Sequence, residues 1–413
     1  MGPDKWSRMR AALVDPSVPP QAVAAVKVLN GRTGAVENAL PFANFHRFLR
    51  SRLRGLLAEG LSPGALCFGR RLVGVEYEAD GGSGGGGGSV VARFADGTSE
   101  RGRLLVGADG SQSAVRTVLL GERAALKRLP FAATFISASF EAPQARFLRA
   151  YHPILNVIIH PDDMVGMLAL LDAAPVSSSS SSSSGSGSGE VEGGGEGAED
   201  GEHDTKPAEE SWRFTFYISW RSPVSEQAAE AAAGMGPRER LAQAKRRAAQ
   251  FADPLRSCHD WVPDDLAEVY WGGVANWDPS LPDHEWDNHG GLVTLMGDAA
   301  HPMTYHRGQG LNHAIADAAK LVELLSATDK RPQRERVDAY EAEMRPRGGE
   351  EVRLSEMNSY MLHDWPQVAQ SPLMKRQLSF GSGGGGGGGG QDTEAASAAS
   401  AEAKGGSAAT SSG

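Results

Sequence analysis

One segment, residues 291–318, constrains the fold more than any other part of the sequence; it reads GLVTLMGDAAHPMTYHRGQGLNHAIADA. An apolar run with the length of a buried strand ends at Gly297 and Asp298, and a loop then leads into a helix near Leu311. In open α/β sheets, ligands bind beyond the carboxyl ends of the strands. The segment therefore predicts an α/β domain in which Asp298 stands at a ligand-binding edge.

The loop after this strand carries residue types that suit a flat, polar ligand. Asp298 could accept hydrogen bonds from a polyol or a ribose, and Gly308 and Gly310 would let the backbone approach a flat ligand closely. The start of the helix offers unpaired N–H groups and a partial positive charge, which suit an anionic ring edge or a phosphate. An ordinary strand–turn–helix corner is the alternative, and it is the commoner explanation of a Gly-Asp pair taken alone.

A second strand-to-helix turn lies at residues 104–117, LLVGADGSQSAVRT. Gly107 and Gly110 permit a tight turn, Asp109 could accept hydrogen bonds within it, and Arg116 follows on the helix. A turn without any ligand explains this segment equally well when it is taken alone.

The periodicity of the remaining sequence indicates how these two motifs are framed. Apolar residues recur at helical spacing in four stretches: 44–60, 236–252, 312–326 and 332–362. Strand patterns occur over 71–79 and 89–96, and most of the chain from Phe131 to Trp220 also reads as strands. Helices and buried strands that enclose a block of mixed strands indicate an α/β nucleotide-binding domain with an inserted sheet domain.

The predicted organisation has three folded parts and a tail. The nucleotide-binding domain takes residues 1–125 and 266–365, the sheet domain takes 126–265, and the tail is 366–413. Three stretches are too rich in Gly, Ser, Ala or Glu to offset their ordering entropy: a flexible loop at 80–89, a disordered insert at 177–210 and the disordered end of the tail at 381–413. Because the first two stand between strand patterns, we expect them to be long hairpin loops.

Composition excludes several classes of function. A formal net charge of -10 argues against a nucleic-acid-binding protein, which would carry a basic face. Two cysteines, Cys67 and Cys258, cannot form a disulfide framework and favour a reducing compartment. The sequence shows neither a membrane-length apolar run nor a secretory signal, so we predict a cytoplasmic protein.

Both motifs resemble those of a known family. GDAAHPM followed by RGQGLNHAIADA is similar to the second flavin-binding motif of the class A flavoprotein monooxygenases, above all the fungal members that act on aromatic or polyketide substrates. The segment LLVGADGSQSAVRT is similar to the Asp-Gly motif of the same family, and RSRLRGLLAEGL resembles its arginine-bearing helix. The resemblance covers roughly residues 25–360 and implies a Rossmann-like FAD-binding domain of the glutathione-reductase type with an inserted mixed β-sheet substrate domain.

The resemblance also implies roles for single residues. In the family, Asp298 would hold the ribityl chain of FAD, Pro302 would lie beside the reactive edge of the isoalloxazine, and the loop from Gly308 would lie against its pyrimidine edge. The implied cofactor-binding residues are Arg50, Asp109, Gly110, Arg116, Gly297, Asp298, Gly308, Gly310, Leu311 and Asn312. Besides FAD, the family uses NAD(P)H and O2 to transfer one oxygen atom to an electron-rich ring.

Catalysis of this kind requires few acid–base groups in the protein and no metal ion. We expect no metal site, because the spacing of His301, His306 and His313 across a loop is not a metal-binding pattern. His306 and Arg307 are candidates to reach the substrate or the flavin edge. Substrate contacts should come from the sheet domain, where Tyr217 and Trp220 are candidates, although core packing explains both as well.

One family feature has no counterpart. The family opens with a strand, a GxGxxG turn and a helix that hold the FAD pyrophosphate, and nothing before Arg50 fits this pattern. We therefore expect the chain to begin after that unit, either as a truncated product or as a protein that has lost tight FAD binding, and to bind FAD weakly. The alternatives to a monooxygenase are a non-catalytic remnant of the fold and a flavin-dependent reductase or dehydrogenase.

Overall fold

Strands and helices are interleaved along the chain. The computed structural model describes residues 3–41, 45–78, 88–173, 211–266 and 268–375. The strands of this part are β1 (Ala25–Asn30), β2 (Val36–Pro41), β3 (Leu72–Glu78), β4 (Ser89–Phe94), β5 (Ser99–Gly102), β6 (Leu105–Gly107), β7 (Lys127–Glu141), β8 (Leu155–His160), β9 (Met164–Asp172), β10 (Ser211–Arg221), β11 (Val269–Asn276) and β12 (Val293–Leu295). The α-helices are α1 (Pro3–Ala11), α2 (Arg50–Ala58), α3 (Ala114–Leu120), α4 (Ala142–Tyr151), α5 (Val224–Ala232), α6 (Pro237–Ala248), α7 (Leu255–Asp260), α8 (Gly310–Leu325) and α9 (Gln333–Leu362).

A seven-stranded mixed sheet is the largest element, with the strand order β11-β7-β10-β9-β8-β1-β2. Only β1 and β8 pair in parallel within it, and the other neighbours are antiparallel. Its longest strands, β7 and β10, are rich in aromatic and β-branched residues, which fit a pleated and half-buried surface.

One face of this sheet is covered by α4, α6 and α7. Leu148, Leu241 and Leu255, one from each helix, are almost completely buried and pack in one apolar cluster with Phe214 and Phe216 of β10. Burial of a side chain of this size is worth about 1.5–3 kcal/mol. The opposite face is therefore the one that can meet the rest of the molecule.

A short parallel ribbon, β6 with β12, carries the two sequence motifs. Leu105 pairs with Val293 and Gly107 with Leu295, so both strands end at the same edge. Helices α8 and α9 pack against the ribbon, with Leu321 and Tyr340 in the same buried cluster as Val293. The strands β3, β4 and β5 form a separate antiparallel meander.

The mixed α/β architecture predicted from the sequence is confirmed. The helices expected over 236–252 and 332–362 begin and end within a few residues of α6 and α9. The helix expected over 44–60 is shorter, because α2 begins only at Arg50. The block predicted as mostly strands also contains α4, a ten-residue helix between β7 and β8.

Other sequence predictions fall on parts that the structure leaves out. Most of the loop at 80–89, all of the insert at 177–210 and the end of the tail lie outside the described residues. The strands that flank the first two do form antiparallel pairs, β3 with β4 and β9 with β10. The domain boundaries at 125 and 265 remain predictions. None of the described helices combines the length and the apolar character needed to cross a membrane.

Helix α9 passes so close to the loop after β12 that it needs glycine there. A Cβ atom on Gly348 would lie 2.8 Å from Cδ2 of His301, a buried ring. We expect Gly348→Ala to lower the free energy of unfolding by about 1–3 kcal/mol, because overpacking outweighs the better helix propensity of alanine. Gly55→Ala in α2, where a Cβ meets nothing within 4 Å, is the control and should be neutral or stabilising. Urea unfolding measures both, and equal effects of the two variants would contradict the close contact.

Candidate functional site

The two motifs meet at one edge of the parallel ribbon. Because Gly107 of β6 is paired with Leu295 of β12, the loops that contain Asp109 and Asp298 leave the ribbon side by side. This is the carboxyl end of both strands, the position at which α/β sheets bind ligands. Gly297 has a φ of 58° at this corner, a conformation that favours glycine.

Asp298 is free to meet a ligand. Its side chain is exposed, and no described residue donates a hydrogen bond to its carboxylate, although its backbone carbonyl lies 3.5 Å from Nη1 of Arg116. The start of α8 is its neighbour, since a Cβ atom on Gly310 would stand 3.6 Å from Oδ1 of Asp298. A carboxylate beside a helix N-terminus can accept hydrogen bonds from ligand hydroxyls while the helix binds another part of the same ligand.

The start of α8 is open as well. Gln309, which precedes the helix, makes no side-chain cap, so the N–H groups of Gly310, Leu311 and Asn312 have no helical acceptor. Gly308 is exposed with a φ of 67°, and this turn requires glycine. The helix has 16 residues, enough for its N-terminal partial charge to favour an anionic group.

The aspartate of the Asp-Gly motif accepts hydrogen bonds from within the protein. Asp109 accepts hydrogen bonds from the hydroxyl of Ser113, the N-cap of α3, at 2.5 Å and from the N–H of Ala114, the first residue of α3, at 2.7 Å. Gly110 allows the turn with a φ of 82°. Both side-chain oxygens of Asp109 thus have partners within the protein, and a direct contact with a cofactor remains a prediction.

Arg116 joins the two motif loops. Its guanidinium is buried and donates to four backbone carbonyls: those of Ser111 at 2.5 Å, Ala299 at 2.8 Å, Ala124 at 3.2 Å and Asp298 at 3.5 Å. The contact with Ala299 crosses from the α3 end to the loop that contains Asp298. The geometry therefore supports Arg116 as a residue that positions this loop.

Arg50, the third sequence candidate, is the first residue of α2. It is exposed and has no hydrogen-bond or ion-pair partner among the described residues. Its neighbours are engaged elsewhere: Arg52 pairs with Asp172 at 2.7 Å, and Arg47 donates to the carbonyl of Leu170. Burial lowers the pKa of Arg47 to about 10. Arg50 is therefore available to an anionic ligand, whereas Arg47 and Arg52 are not.

Pro302 and His306 lie deeper in the same loop. The carbonyl of buried Pro302 accepts from the N–H of Trp277 at 3.0 Å, which fixes the path of the loop. Both ring nitrogens of His306 have partners: Nε2 meets the Ser219 hydroxyl at 3.1 Å and Nδ1 meets the Ser359 hydroxyl at 2.9 Å. Burial lowers the pKa of His306 well below its ordinary value, so the ring is neutral. Its geometry supports a positioning role.

A second buried histidine, His363, contacts the same serine hydroxyl as His306. His363 donates through Nδ1 to the carbonyl of Ser359 at 2.7 Å, so its Nε2 must accept from the Ser219 hydroxyl at 2.8 Å. The Ser219 hydroxyl thus lies between the rings of His363 and His306, and burial lowers the pKa of both histidines. This chain of hydrogen bonds ties β10, the loop after β12 and α9 to one another.

The cluster makes stability depend on pH. Burial is the main cause that lowers the pKa of His363, to about 4, whereas an unfolded histidine titrates near 6.5. Between these values the unfolded chain binds more protons, so the free energy of unfolding falls as the pH falls from about 6.5 to 4. We expect His363→Gln to reduce this slope by up to about 1.4 kcal/mol per pH unit in that window. Urea unfolding at several pH values measures it, and an unchanged slope would contradict a neutral buried His363.

Arg307 forms a buried ion pair with Glu351 of α9, at 2.6 Å, and both side chains are fully buried. Nε and Nη2 of Arg307 have no partner in the described part of the chain. Beside this pair, Asp317 accepts from His301 and from Arg347, both at 2.7 Å. The loop from 297 to 309 therefore rests on a buried network of charges, and Arg307 retains two unused donors within it.

The structure aligns three aromatic side chains across the large sheet: Tyr217 is buried, Phe135 is partly buried and Tyr270 is exposed. Tyr270, Phe135 and Tyr217 are directly paired residues on β11, β7 and β10, with ring centroids 6.3 Å and 5.0 Å apart; we call them the aromatic row. Tyr305, from the loop after Asp298, packs edge-on against Phe135 and Tyr217. Alternation along each strand placed these residues on one face, but the cross-strand register was needed to align them. Trp220, the other candidate, packs in the opposite core and under Arg247.

The fold and the site together define a class of protein. A parallel ribbon with a carboxylate and an open helix N-terminus at its carboxyl end, joined to a mixed sheet, is the arrangement of a nucleotide-cofactor enzyme. Residues 284–355 match the model of the FAD binding domain family.

Relatives define the family more closely. FAD-dependent monooxygenase phnB of Penicillium herquei is 32% identical over 354 residues, 84% of this chain and 74% of that protein. The 3-amino-4-hydroxybenzoate 2-monooxygenase PtmB3 of Streptomyces platensis is 29% identical over 332 residues, 79% of this chain and 66% of the relative. The structure of 2,6-dihydroxypyridine-3-hydroxylase from Arthrobacter nicotinovorans shares the fold, with a TM-score of 0.58 and 18% identity over 86% of this chain and 78% of that one. The chain belongs to the FAD-dependent monooxygenases.

Proposed function

We propose that this chain binds the flavin end of FAD along the loop from Asp298 to Asn312 and hydroxylates an aromatic or polyketide-like small molecule with NAD(P)H and O2. The observation that carries the proposal is the exposed carboxylate of Asp298, which has no partner among the described residues, beside the uncapped start of α8. A ligand with hydroxyl groups and an adjacent electron-rich ring edge fits both features at once.

The residues present fit the flavin end of FAD. Asp298 would accept hydrogen bonds from the ribityl hydroxyls, and the N–H groups of Gly310, Leu311 and Asn312 would face the pyrimidine edge. Arg50 offers an exposed and unpaired guanidinium to a phosphate. FAD bound there would supply the redox chemistry of an NAD(P)H- and O2-dependent hydroxylation. Pro302, His306 and Arg307 hold the loop in place, and the two unused donors of Arg307 provide positive charge behind it.

The aromatic row is the proposed substrate surface. It lies on the face of the sheet opposite the core helices and meets Tyr305 of the candidate flavin loop. Flat rings stack on such a surface with an additional gain of about 0.5–1.5 kcal/mol per pair. Burial raises the pKa of Tyr217 and Tyr305, so both hydroxyls stay protonated at neutral pH. The names of two relatives, a hydroxybenzoate monooxygenase and a dihydroxypyridine hydroxylase, agree with a ring substrate.

The test combines flavin retention with oxygen consumption. The purified chain is titrated with FAD and followed by flavin absorbance, and NAD(P)H oxidation and O2 uptake are then measured with phenol, 1-naphthol and 1,8-dihydroxynaphthalene. We expect at least one of these probes to be hydroxylated in proportion to the NAD(P)H oxidised. Retained FAD with NAD(P)H oxidation but no hydroxylated product would favour a reductase, and absence of FAD binding would favour a non-catalytic remnant.

Tyr270→Ala tests the aromatic row at little cost to the fold, because the Tyr270 side chain is 68% exposed. We expect the KM for the aromatic probe that serves as substrate to rise about fivefold, since one ring contact is lost. FAD retention should stay unchanged. Phe68→Ala, at an exposed aromatic residue outside the row, is the matched control. Steady-state kinetics measure both variants, and an equal KM in Tyr270→Ala and the unmodified chain would exclude the row as the substrate surface.

A further inference from the structure

Two hydroxyl groups lie beside the aromatic row on the same face of the large sheet. Thr215 of β10 pairs directly with Ser137 of β7, two residues along the strands from the pair of Tyr217 and Phe135. Because side chains alternate between the two faces of a sheet, both hydroxyls are on the face of the aromatic row, about 7 Å from it. Both residues are half-buried, and neither side-chain oxygen has a hydrogen-bond partner among the described residues. Two groups that can each donate and accept are therefore free to bind a ligand.

These hydroxyls lie on the side of the row that is remote from the candidate flavin loop. His306 of this loop contacts Ser219, which is on the other side of Tyr217 along β10. Tyr305, the residue before His306, covers Tyr217 with a distance of 5.1 Å between the ring centroids. A flat substrate that rests on the row and reaches the loop therefore has its far end over the two hydroxyls.

The charges on this face favour an uncharged ligand. The next residue of β10 on the face is Arg213, whose guanidinium forms an ion pair with Glu268. Arg221, at the other end of the same face, has Asp163 and Asp364 as partners, each at 3.6 Å. A substrate carboxylate would have to compete with these side chains for either arginine, whereas hydroxyl and carbonyl groups can bind to serine and threonine directly.

The spacing of the two hydroxyls is a second constraint on the ligand. Cβ atoms of directly opposite residues in an antiparallel sheet lie about 4.5–5.5 Å apart. Oxygen atoms on alternate carbons of an aromatic ring have a similar separation, whereas oxygen atoms on adjacent carbons are much closer together. One substrate oxygen on each hydroxyl therefore fits a 1,3-arrangement better than a 1,2-arrangement.

We propose that Ser137 and Thr215 determine substrate specificity by binding two uncharged oxygen substituents in a 1,3-arrangement on the substrate ring farthest from the flavin loop. The inference rests on the proposed function, because it concerns the substrate of the same site. A site that hydrogen-bonds both oxygens discriminates against a ring that can pair with only one of them. Loss of one such hydrogen bond lowers the affinity about tenfold.

Binding and turnover of matched ligands test the inference. Titration calorimetry of the full chain, with and without FAD, gives the Kd of 1,3-dihydroxynaphthalene and of its 2,3-isomer, and steady-state kinetics with NAD(P)H give kcat/KM. We expect the 1,3-isomer to bind about tenfold more tightly than the 2,3-isomer. Resorcinol, which has the same 1,3-pair, should bind about tenfold more tightly than 3,5-dihydroxybenzoate, which adds a carboxylate.

A double variant assigns the preference to the two hydroxyls. Ser137→Ala with Thr215→Val should make the affinities for the two naphthalene isomers equal, and it breaks no hydrogen bond within the described chain. Ser139→Ala removes an exposed hydroxyl from the next pair on the same face, so it is the matched control and should keep the preference. An unchanged melting temperature of the double variant shows that a lost preference is not a loss of folding.

Four results would overturn the inference: equal affinity of the unmodified chain for the two isomers, binding of neither isomer, tighter binding of 3,5-dihydroxybenzoate than of resorcinol, or a preference that the double variant retains. The proposed function fails separately. Selective binding that the double variant loses, without any hydroxylated product, would support the hydroxyl pair and contradict the proposed reaction. Hydroxylation of both isomers with equal Kd and equal kcat/KM would contradict the hydroxyl pair alone.

Discussion

Replacement of Asp298 by alanine is expected to weaken FAD binding about a hundredfold while leaving the fold intact. The carboxylate is exposed and accepts no side-chain hydrogen bond from described residues, so its removal breaks nothing within the protein. Hydrogen bonds to a charged acceptor are worth about 1.5–3 kcal/mol, and the upper value corresponds to a hundredfold change. Titration with FAD, followed by flavin absorbance or fluorescence quenching, measures the change.

Two variants make this result specific. Asp298→Asn retains an oxygen acceptor without the charge and should lose about tenfold. Asp283→Ala removes another exposed carboxylate, in the loop before β12, and should bind FAD as the unmodified chain does. If Asp298→Ala bound FAD with unchanged affinity, the flavin would have to lie elsewhere.

Replacement of Glu351 by alanine is expected to lower the free energy of unfolding by about 3–5 kcal/mol, because it leaves the buried charge of Arg307 unpaired. Both side chains are fully buried at a distance of 2.6 Å, and Ser355 also donates to Glu351. Burial is the main cause that lowers the pKa of Arg307, because it removes solvation from the guanidinium. Urea unfolding monitored by tryptophan fluorescence measures the effect.

The double variant Arg307→Leu, Glu351→Leu distinguishes the loss of the ion pair from the loss of the buried volume that its side chains fill. Without either charge the site becomes apolar, and we expect at least half of the lost stability to return. A loss below about 1 kcal/mol in Glu351→Ala would mean that water reaches the pair and that the loop does not rest on a buried charge network.

Local patterns along the chain were sufficient to predict the parts of the site that are contiguous in sequence. Apolar runs, glycine and helical periodicity predict the strand before Gly297, which ends at Leu295 in the structure, the turn at Gly110 and the start of α8 within two residues of Asn312. The parallel pairing of β6 with β12 then brings Asp109 and Asp298 to one edge, as the rule for α/β sheets requires.

Contacts between distant segments could not be predicted in this way. His306 was a catalytic candidate on its position alone, and only the folded chain shows that Ser219 and Ser359, 87 and 53 residues away, occupy its two nitrogens. The aromatic row depends on the register of three strands, which a single sequence does not specify.

Oxygen labelling tests the central claim most directly. The chain is supplied with FAD, NAD(P)H and, as the substrate to be hydroxylated, an aromatic probe such as 1-naphthol under 18O2. The product is then analysed by mass spectrometry. The account predicts one 18O atom in each product molecule and one NAD(P)H oxidised for each hydroxylation. Oxidation of NAD(P)H by the FAD-loaded chain with no labelled product from any aromatic probe would contradict it.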